Sequence, residues 1–209
     1  MKKSILFLIL LITASACAQG KTEKENKTTE KKFSTITLGG GCYWCVEALY
    51  EDLIGVKSVV AGFAGGQTAN PTYEEVCTGT TGHAEVVQIK YDESKISLEE
   101  ILKVFFTVHD PTTLNRQGAD IGTQYRSIIL YSNATQKKTA ENIITELTKA
   151  KAFQNAITTQ VVPLTKFYIA EDYHQDYFKN NPNQPYCRMV IQPKMDKFEK
   201  IFKDKIKKD

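Results

Sequence analysis

The sequence predicts one α/β (α+β) domain, in which helices pack on an antiparallel or mixed sheet and a long irregular C-terminal tail follows. Two observations support this class. Short apolar runs typical of strands occur between segments whose apolar residues recur at helical spacing. The chain has 209 residues, of which 42% are hydrophobic and 24% charged, and this suits one domain with a substantial core. We find no internal repeat and no second hydrophobic block.

The first predicted strand contains Ile36 and Leu38, and three glycines follow it at 39–41. Glycine allows a tight turn that a residue with a Cβ would resist. After the turn, apolar residues recur at helical spacing as far as Ile54. Cys42 therefore lies where a strand passes into the first turn of a helix. There, unpaired backbone N–H groups and the positive end of the helix dipole favour a thiolate.

The remaining elements follow in chain order. Ser97-Leu-Glu-Glu is a capping box, which predicts the start of a helix. The predicted segments are a strand at 56–63, a loop at 67–81, a strand at 83–91, a helix at 97–106, a loop at 109–123, a strand at 125–131, a helix at 134–150, a strand at 161–164 and a Lys-rich helix at 194–206. This β-α-β-β-α-β order, with additions after it, is that of a split βαβ, ferredoxin-like core.

Residues 1–17 are predicted to be a signal peptide. Lys2 and Lys3 precede an apolar run that is too short to span a bilayer, and small residues lead to Cys17. The arrangement resembles a bacterial lipoprotein signal in which Cys17 becomes acylated, although Ala14 stands where leucine is usual. A plain secretory signal is the alternative. We expect an exported, membrane-anchored lipoprotein of the bacterial cell envelope, either periplasmic or surface-facing.

Residues 18–33 are predicted to be a disordered polar tether, because no apolar residue occurs from 20 to 32. The catalytic domain is predicted at 34–209. The net charge of +3 is small, and much of it comes from lysines near the two ends of the chain. It therefore provides no argument for a nucleic-acid partner.

Five cysteines are an odd number for an exported protein. If Cys17 is acylated, four remain, and they could form two structural disulfides. Cys42 and Cys45 could bind zinc, but a second close pair of ligands is missing. They could instead form a thioredoxin-like redox motif, which would make the protein a membrane-tethered thiol–disulfide oxidoreductase. A lipoprotein without enzymatic activity, stapled by its cysteines, is a further possibility.

Seven short motifs together resemble those of the peptide methionine sulfoxide reductases of type A. They occur in that family's order and cover the chain from about 35 to 194. The motifs are Gly41-Cys-Tyr-Trp-Cys45, Asn70-Pro-Thr-Tyr73, Thr81-Gly-His-Ala-Glu85, His109-Asp-Pro111, Gly122-Thr-Gln-Tyr-Arg126, Ala170-Glu-Asp-Tyr-His-Gln175 and Pro185-Tyr-Cys187. The resemblance implies protein repair under oxidative stress, by reduction of the S epimer of methionine sulfoxide, free or protein-bound.

The resemblance assigns the reacting groups. Cys42 would attack the sulfoxide sulfur, and Glu85 would be the general acid that protonates the leaving oxygen. Such an acid must stay protonated near neutral pH, which burial favours. Taken alone, a glutamate at the start of an alternating strand is more often a solvated surface residue. The role of Glu85 is therefore implied by the family and not by the residue pattern.

The resemblance also assigns the binding groups. Tyr73 and Tyr125 would hydrogen-bond the sulfoxide oxygen, and Asp120 would orient the site near the thiol. Tyr43 and Trp44 would hold the methyl group on sulfur, since sulfur and aromatic rings attract one another. Most relatives have Phe at position 43, so we expect the additional hydroxyl to be tolerated if it points to water. The three histidines receive no catalytic role and are expected to orient loops or meet solvent.

Regeneration is the last step that the resemblance implies. Oxygen transfer leaves a sulfenic acid on Cys42, which condenses with a nearby thiol. Cys187 matches the resolving cysteine and lies on a segment expected to be irregular and mobile, whereas Cys45 is expected to be a minor partner at most. A thioredoxin-like protein would then reduce the disulfide in a monomeric enzyme without a prosthetic cofactor or metal. Cys77 is expected to be a small buried residue.

Overall fold

The computed structural model describes residues 33–207. The predicted signal peptide, the acylation site Cys17 and the predicted tether up to residue 32 lie outside this range. The following description concerns the described residues alone. Among them, no helix combines the length and the apolar character needed to cross a membrane.

The described chain alternates strands and helices over most of its length. The strands are β1 (Phe33–Gly39), β2 (Val56–Ala64), β3 (Ala84–Asp92), β4 (Arg116–Gln117), β5 (Asp120–Ile121), β6 (Ile128–Tyr131), β7 (Gln160–Pro163) and β8 (Phe167–Ile169). The helices are α1 (Tyr43–Glu51), α2 (Tyr73–Cys77), α3 (Leu98–Val108), α4 (Ala134–Lys149), α5 (Tyr177–Asn180) and α6 (Gln192–Phe202). Short 3-10 turns occur at Thr123–Tyr125, Asp172–His174 and Lys203–Lys205, and a π-helical turn occurs at Cys187–Ile191.

Six strands form one mixed sheet in the order β7-β6-β1-β3-β2-β8. Within its four central strands, β6-β1-β3-β2, each adjacent pair is antiparallel. With α1 and α3 in the two crossovers, they form the split βαβ arrangement, and the predicted ferredoxin-like core is confirmed. The strand β7 then lies parallel to β6 after α4, and β8 adds an antiparallel edge next to β2.

Apolar side chains cover the sheet on both faces. The larger core lies between the sheet and the helices, and it includes Leu38, Val87 and Phe105. A smaller cluster on the opposite face contains Val86 and Leu130. Because side chains alternate along a strand, β3 is buried on both faces instead of one. Glu85 shares the helix-covered face with Val87.

Local capping signals explain where two helices start. Ser97 Oγ accepts a hydrogen bond from Glu100 N at 3.2 Å, and Glu100 Oε2 accepts one from Ser97 N at 3.0 Å. The predicted capping box is thus confirmed. An equivalent box, between Thr72 and Glu75, begins α2. The sequence prediction had placed this segment in a loop, and it also missed the small β4–β5 ribbon.

The C-terminal segment is more regular than predicted. The strand β8 pairs with β2, and the π-helical turn at Cys187–Ile191 continues directly into α6. Between them, the chain from 170 to 186 contains only short helical turns. This segment contacts β2 and α1, since Ala61 N of β2 donates to Gln175 Oε1 at 2.9 Å and Tyr177 N donates to Glu47 Oε2 of α1 at 3.4 Å.

Candidate active site

The turn between β1 and α1 positions Cys42. Gly41 has φ +101°, and a Cβ there would lie 2.6 Å from Gln117 Cγ, so both the backbone and the space require glycine. Cys42 is the N-cap residue of α1, and its carbonyl accepts a hydrogen bond from Cys45 N at 3.1 Å. The predicted passage from strand to helix at Cys42 is confirmed. The side chain is buried, with 7% exposed.

Glu85 lies directly beside this turn. Its Oε2 accepts a hydrogen bond from Tyr43 N at 3.1 Å, and the residue is 2% exposed. Burial raises the pKa of Glu85 to about 8, and the nearby charges of Asp120 and Cys45 act in the same direction. The hydrogen bond from Tyr43 N opposes this increase only in part. Glu85 is therefore a protonated carboxyl group at neutral pH, as the predicted acid requires.

The two thiols at the start of α1 differ in their tendency to ionise. Burial, the hydrogen bond to Cys45 and the Glu85 charge raise the pKa of Cys42. The hydrogen bond from Cys42 and the Lys194 ammonium group lower the pKa of Cys45 to about 7. Lys194 Nζ lies 3.5 Å from Cys45 Sγ. The prediction of a thiolate at Cys42 is thus wrong for the substrate-free site, because burial and Glu85 outweigh the helix terminus.

A tyrosine connects the thiols to the β4–β5 ribbon. Tyr186 OH donates to Asp120 Oδ2 at 2.9 Å and lies 3.9 Å from Cys45 Sγ. The predicted site residue Asp120 is therefore close to the thiol pair. The sequence analysis assigned no role to Tyr186 or Lys194. The only sequence signal for Tyr186 was its position next to Cys187.

The two predicted oxygen-binding tyrosines come from separate turns. Tyr73 is the first residue of α2, and its backbone N–H donates to Glu171 Oε1 at 3.0 Å. Tyr125 lies in the 3-10 turn before β6. Burial raises the pKa of the Tyr73 hydroxyl, and the Glu85 charge contributes. The pKa of Tyr125 rises for the same two reasons, so both groups remain protonated hydrogen-bond donors.

The aromatic pair after Cys42 is held by the C-terminal segment. Trp44 stacks on Tyr177, with ring centroids 3.6 Å apart, and Trp44 Nε1 donates to His174 Nδ1 at 3.2 Å. Tyr43 packs 5.9 Å from the Phe63 ring centroid and is only 1% exposed. Its hydroxyl is buried and has no hydrogen-bond partner in the described part of the chain. The condition under which we expect this hydroxyl to be tolerated, that it points to water, is therefore not met.

Comparison with known proteins assigns this arrangement to a family. A family model described as peptide methionine sulfoxide reductase matches residues 34–206. The chain belongs to the peptide methionine sulfoxide reductase family. It is therefore an oxidoreductase that reduces methionine sulfoxide in peptides. The comparisons lend no support to the alternative of a thiol–disulfide oxidoreductase.

Individual relatives support this assignment. The peptide methionine sulfoxide reductase MsrA of Saccharolobus solfataricus is 58% identical over 171 residues, which are 82% of this chain and 96% of that protein. The solved structure of methionine sulfoxide reductase A of Corynebacterium diphtheriae has 39% identity and a TM-score of 0.66, covering 75% of this chain and 78% of that one. Mxr1 from Saccharomyces cerevisiae in reduced form has 35% identity and a TM-score of 0.68, covering 77% and 94%.

The remaining cysteines of this reductase lie in unexpected surroundings. Cys187 is buried in the π-helical turn instead of an irregular segment. Burial raises the pKa of Cys187, and the Cys45 charge contributes. Cys77 is exposed, so the expectation of a buried residue is wrong. Within residues 33–207, no group of three or more His, Cys, Asp or Glu side chains could hold a metal ion.

The three histidines of the reductase are all buried, so none of them meets solvent. His83 Nδ1 accepts a hydrogen bond from Gly66 N at 3.1 Å, and His109 Nε2 lies 2.7 Å from Ser127 Oγ. Each ring therefore supports a loop near the site, as predicted. His174 holds the side chain of Trp44, because Trp44 Nε1 donates a hydrogen bond to His174 Nδ1.

Proposed function

We propose that Cys42 is the nucleophile and Glu85 the general acid in reduction of the S epimer of methionine sulfoxide. The observation that carries this proposal is the buried Glu85 carboxyl group, bonded to Tyr43 N at 3.1 Å, beside the N-terminus of α1. The Cys42 sulfur attacks the sulfoxide sulfur while Glu85 gives its proton to the oxygen. The substrate S–O bond and the new S–S bond then break, and the hydroxyl group passes to the Cys42 sulfur. This releases methionine and leaves Cys42 as a sulfenic acid.

The charge on Glu85 is linked to the ionisation of Cys42. A negatively charged Glu85 raises the pKa of the Cys42 thiol, whereas a protonated carboxyl group removes this repulsion. The site therefore works best when Glu85 holds the proton and Cys42 has lost its own. This is the ionisation state in which acid and nucleophile are both ready for the sulfoxide.

Polar and aromatic side chains complete the site. Tyr73 and Tyr125 donate hydrogen bonds to the sulfoxide oxygen, since both hydroxyls remain protonated and lie near Glu85. Asp120 orients the site near the thiols through Tyr186, whose hydroxyl donates a hydrogen bond to it. Tyr43 and Trp44 contact the methyl group on the substrate sulfur. The Tyr177 stack covers one face of Trp44, so the substrate meets its opposite face or its edge.

The cycle closes through thiols. The Cys187 thiol condenses with the Cys42 sulfenic acid to form a disulfide. A thioredoxin-like protein then reduces that disulfide. The enzyme needs no prosthetic cofactor, because all of the electrons pass through sulfur atoms. Its substrates are free methionine sulfoxide and oxidised proteins or peptides, and it acts as a monomer that does not bind nucleic acid.

The decisive test is reduction of each sulfoxide epimer by the full chain with dithiothreitol as donor. We expect turnover of the S epimer alone. Cys42→Ser abolishes turnover, because an alcohol is too weak a nucleophile here. A dimedone-type probe traps the sulfenic acid at position 42 after substrate addition. Residual activity of the Cys42→Ser variant within about tenfold of wild type would refute the assignment.

We further propose that residues 1–17 are a lipoprotein signal, that Cys17 is acylated and that residues 18–33 tether the 34–209 catalytic domain to an envelope membrane. The short apolar run and the small residues before Cys17 support this proposal. In Cys17→Ser, the protein becomes soluble in the envelope or remains unprocessed. Fractionation and mass measurement of the mature N-terminus check this. Unchanged membrane association with normal processing would mean that another feature anchors the chain.

A further inference from the structure

Cys45 has surroundings that a structural cysteine does not need. Lys194 Nζ, from α6, lies 3.5 Å from its sulfur, and Tyr186 OH lies at 3.9 Å. The side chain is only 2% exposed, so the lysine is brought to a buried sulfur from the far end of the chain. A neighbouring cation stabilises a thiolate. The structure therefore prepares a second nucleophile beside Cys42.

The backbone between the two cysteines is already arranged for a disulfide. Cys45 N donates to Cys42 O at 3.1 Å, which closes the first turn of α1. Residues three apart in a helix have Cα atoms about 5 Å apart, inside the range that disulfides span. The enclosed aromatics are fixed by other groups, since Trp44 stacks on Tyr177 and Tyr43 packs near Phe63.

Cys187 lies on the chain segment that contacts Cys45. It directly follows Tyr186, whose hydroxyl is 3.9 Å from the Cys45 sulfur. Both thiols belong to the same buried core. Burial raises the pKa of Cys187, and the charge of Cys45 contributes. Tyr186 and the shared core therefore connect Cys45 to the chain segment that carries the resolving cysteine.

We propose that Cys45 is a catalytic relay, which resolves the Cys42 sulfenic acid first and then passes the disulfide to Cys187. This inference rests on the proposed function and refines its regeneration step. It replaces the sequence-based expectation that Cys45 is a minor partner.

The relay has two balanced steps. In the first, the Cys45 thiolate attacks the Cys42 sulfur, the S–O bond breaks, and the departing hydroxide takes a proton from the Lys194 ammonium group or solvent to leave as water. In the second, the Cys187 sulfur attacks the Cys45 sulfur, and its proton passes to the departing Cys42. The products are a Cys45–Cys187 disulfide and a free Cys42 thiol. The net oxidation of two thiols equals the two-electron reduction of one sulfoxide.

One turnover without reductant tests the order of these steps. The full chain carrying Cys187→Ser reacts with a peptide containing the S epimer of methionine sulfoxide and is then quenched with an alkylating agent. We expect one equivalent of methionine and a Cys42–Cys45 disulfide as the main product of peptide mapping. In the wild type, this disulfide forms first and a Cys45–Cys187 disulfide replaces it. In Cys45→Ser, the Cys42 sulfenic acid lives at least about tenfold longer.

Lys194→Gln tests the activation of Cys45, with Lys197→Gln as the matched control, because Lys197 lies on the same helix but is exposed. Lys194→Gln moves the pH dependence of sulfenic acid decay to higher pH, whereas Lys197→Gln leaves it unchanged. A long-lived sulfenic acid with Cys45 still free in Cys187→Ser would overturn the relay, although the proposed function would stand. Absence of methionine in the wild type would instead overturn the proposed function, and the relay with it.

Discussion

Replacing Glu85 with glutamine separates its acidity from its packing. The amide keeps the size of the side chain and an oxygen that can accept the hydrogen bond from Tyr43 N, but it has no acidic proton to give. We expect Glu85→Gln to slow the chemical step by about 10²–10⁴-fold, the usual contribution of a positioned acid. The loss becomes smaller at acidic pH, where solvent can supply the proton.

The structure sets the size of the effect. A carboxyl group with the ordinary pKa of 4.5 is protonated in about 0.3% of molecules at pH 7, whereas a pKa of about 8 leaves about 90% protonated. Burial therefore increases the supply of the acid form about 300-fold. Glutamine has no proton to lose, whereas the acid form of Glu85 is lost above its pKa. The ratio of the wild-type rate of methionine formation to the Glu85→Gln rate therefore falls as pH rises through about 8.

Folding stability changes with pH in the same window. The unfolded chain loses the Glu85 proton above about pH 4.5, while the folded chain keeps it until about pH 8. The folded state then binds more protons, so the free energy of unfolding decreases as pH rises between these values. At pH 7, this destabilises the fold by about 3 kcal/mol. Glu85→Gln removes this penalty. In chemical denaturation, the free energy of unfolding of the variant minus that of wild type is therefore expected to be larger at pH 7 than at pH 4.5.

The assay is single-turnover methionine formation from pH 5 to 10, with Glu47→Gln as a matched control. Glu47 is also a buried glutamate, on α1, and burial raises its pKa to about 7, but it contacts Tyr177 N instead of the thiols. We expect the ratio of wild-type to variant rate to fall above about pH 8 for Glu85→Gln and to stay constant for Glu47→Gln. A ratio for Glu85→Gln that stays constant through pH 8 would show that another group supplies the proton.

Two further substitutions test the aromatic side chains Tyr43 and Tyr177. Tyr43→Phe removes a buried hydroxyl without a partner among the described residues, so the free energy of unfolding should rise by about 1 kcal/mol with activity retained; a loss of stability in urea titration would contradict this. Tyr177→Leu removes the ring stacked on Trp44, so KM for sulfoxide peptides should rise several-fold and stability fall by about 1 kcal/mol. A lower kcat at unchanged KM in steady-state kinetics would refute the supporting role.

Local signals were sufficient for the framework of the site. Three glycines and a helical apolar pattern predict the turn that holds Cys42, because backbone freedom and side-chain periodicity are properties of neighbouring residues. The capping box at Ser97 predicts a helix start for the same reason. Each of these features depends on contacts within a few residues, and the structure confirms both.

Burial of Glu85 could not be read from its own strand. The pattern of β3 resembles a half-exposed strand, but the neighbouring elements cover both of its faces. The pKa of Glu85 depends on that cover. The family resemblance therefore indicates an acid at position 85, whereas the alternating pattern of the strand favours a solvent-exposed glutamate there. A charge buried by tertiary packing leaves no trace in the local sequence.

The pKa values of Cys42 and Cys45 also depend on tertiary contacts that the local sequence does not reveal. From the sequence, the helix terminus favours ionisation at Cys42. In the fold, burial raises the pKa of Cys42, and Glu85, 43 residues later in the chain, contributes. The hydrogen bond from Cys42 lowers the pKa of Cys45, and Lys194, which lies 149 residues from Cys45, contributes. The C-terminal segment brings Lys194, Tyr186 and Cys187 to the first turn of α1 together. A segment that the sequence predicts to be irregular therefore places a cation beside Cys45, and no local pattern around either residue indicates that contact.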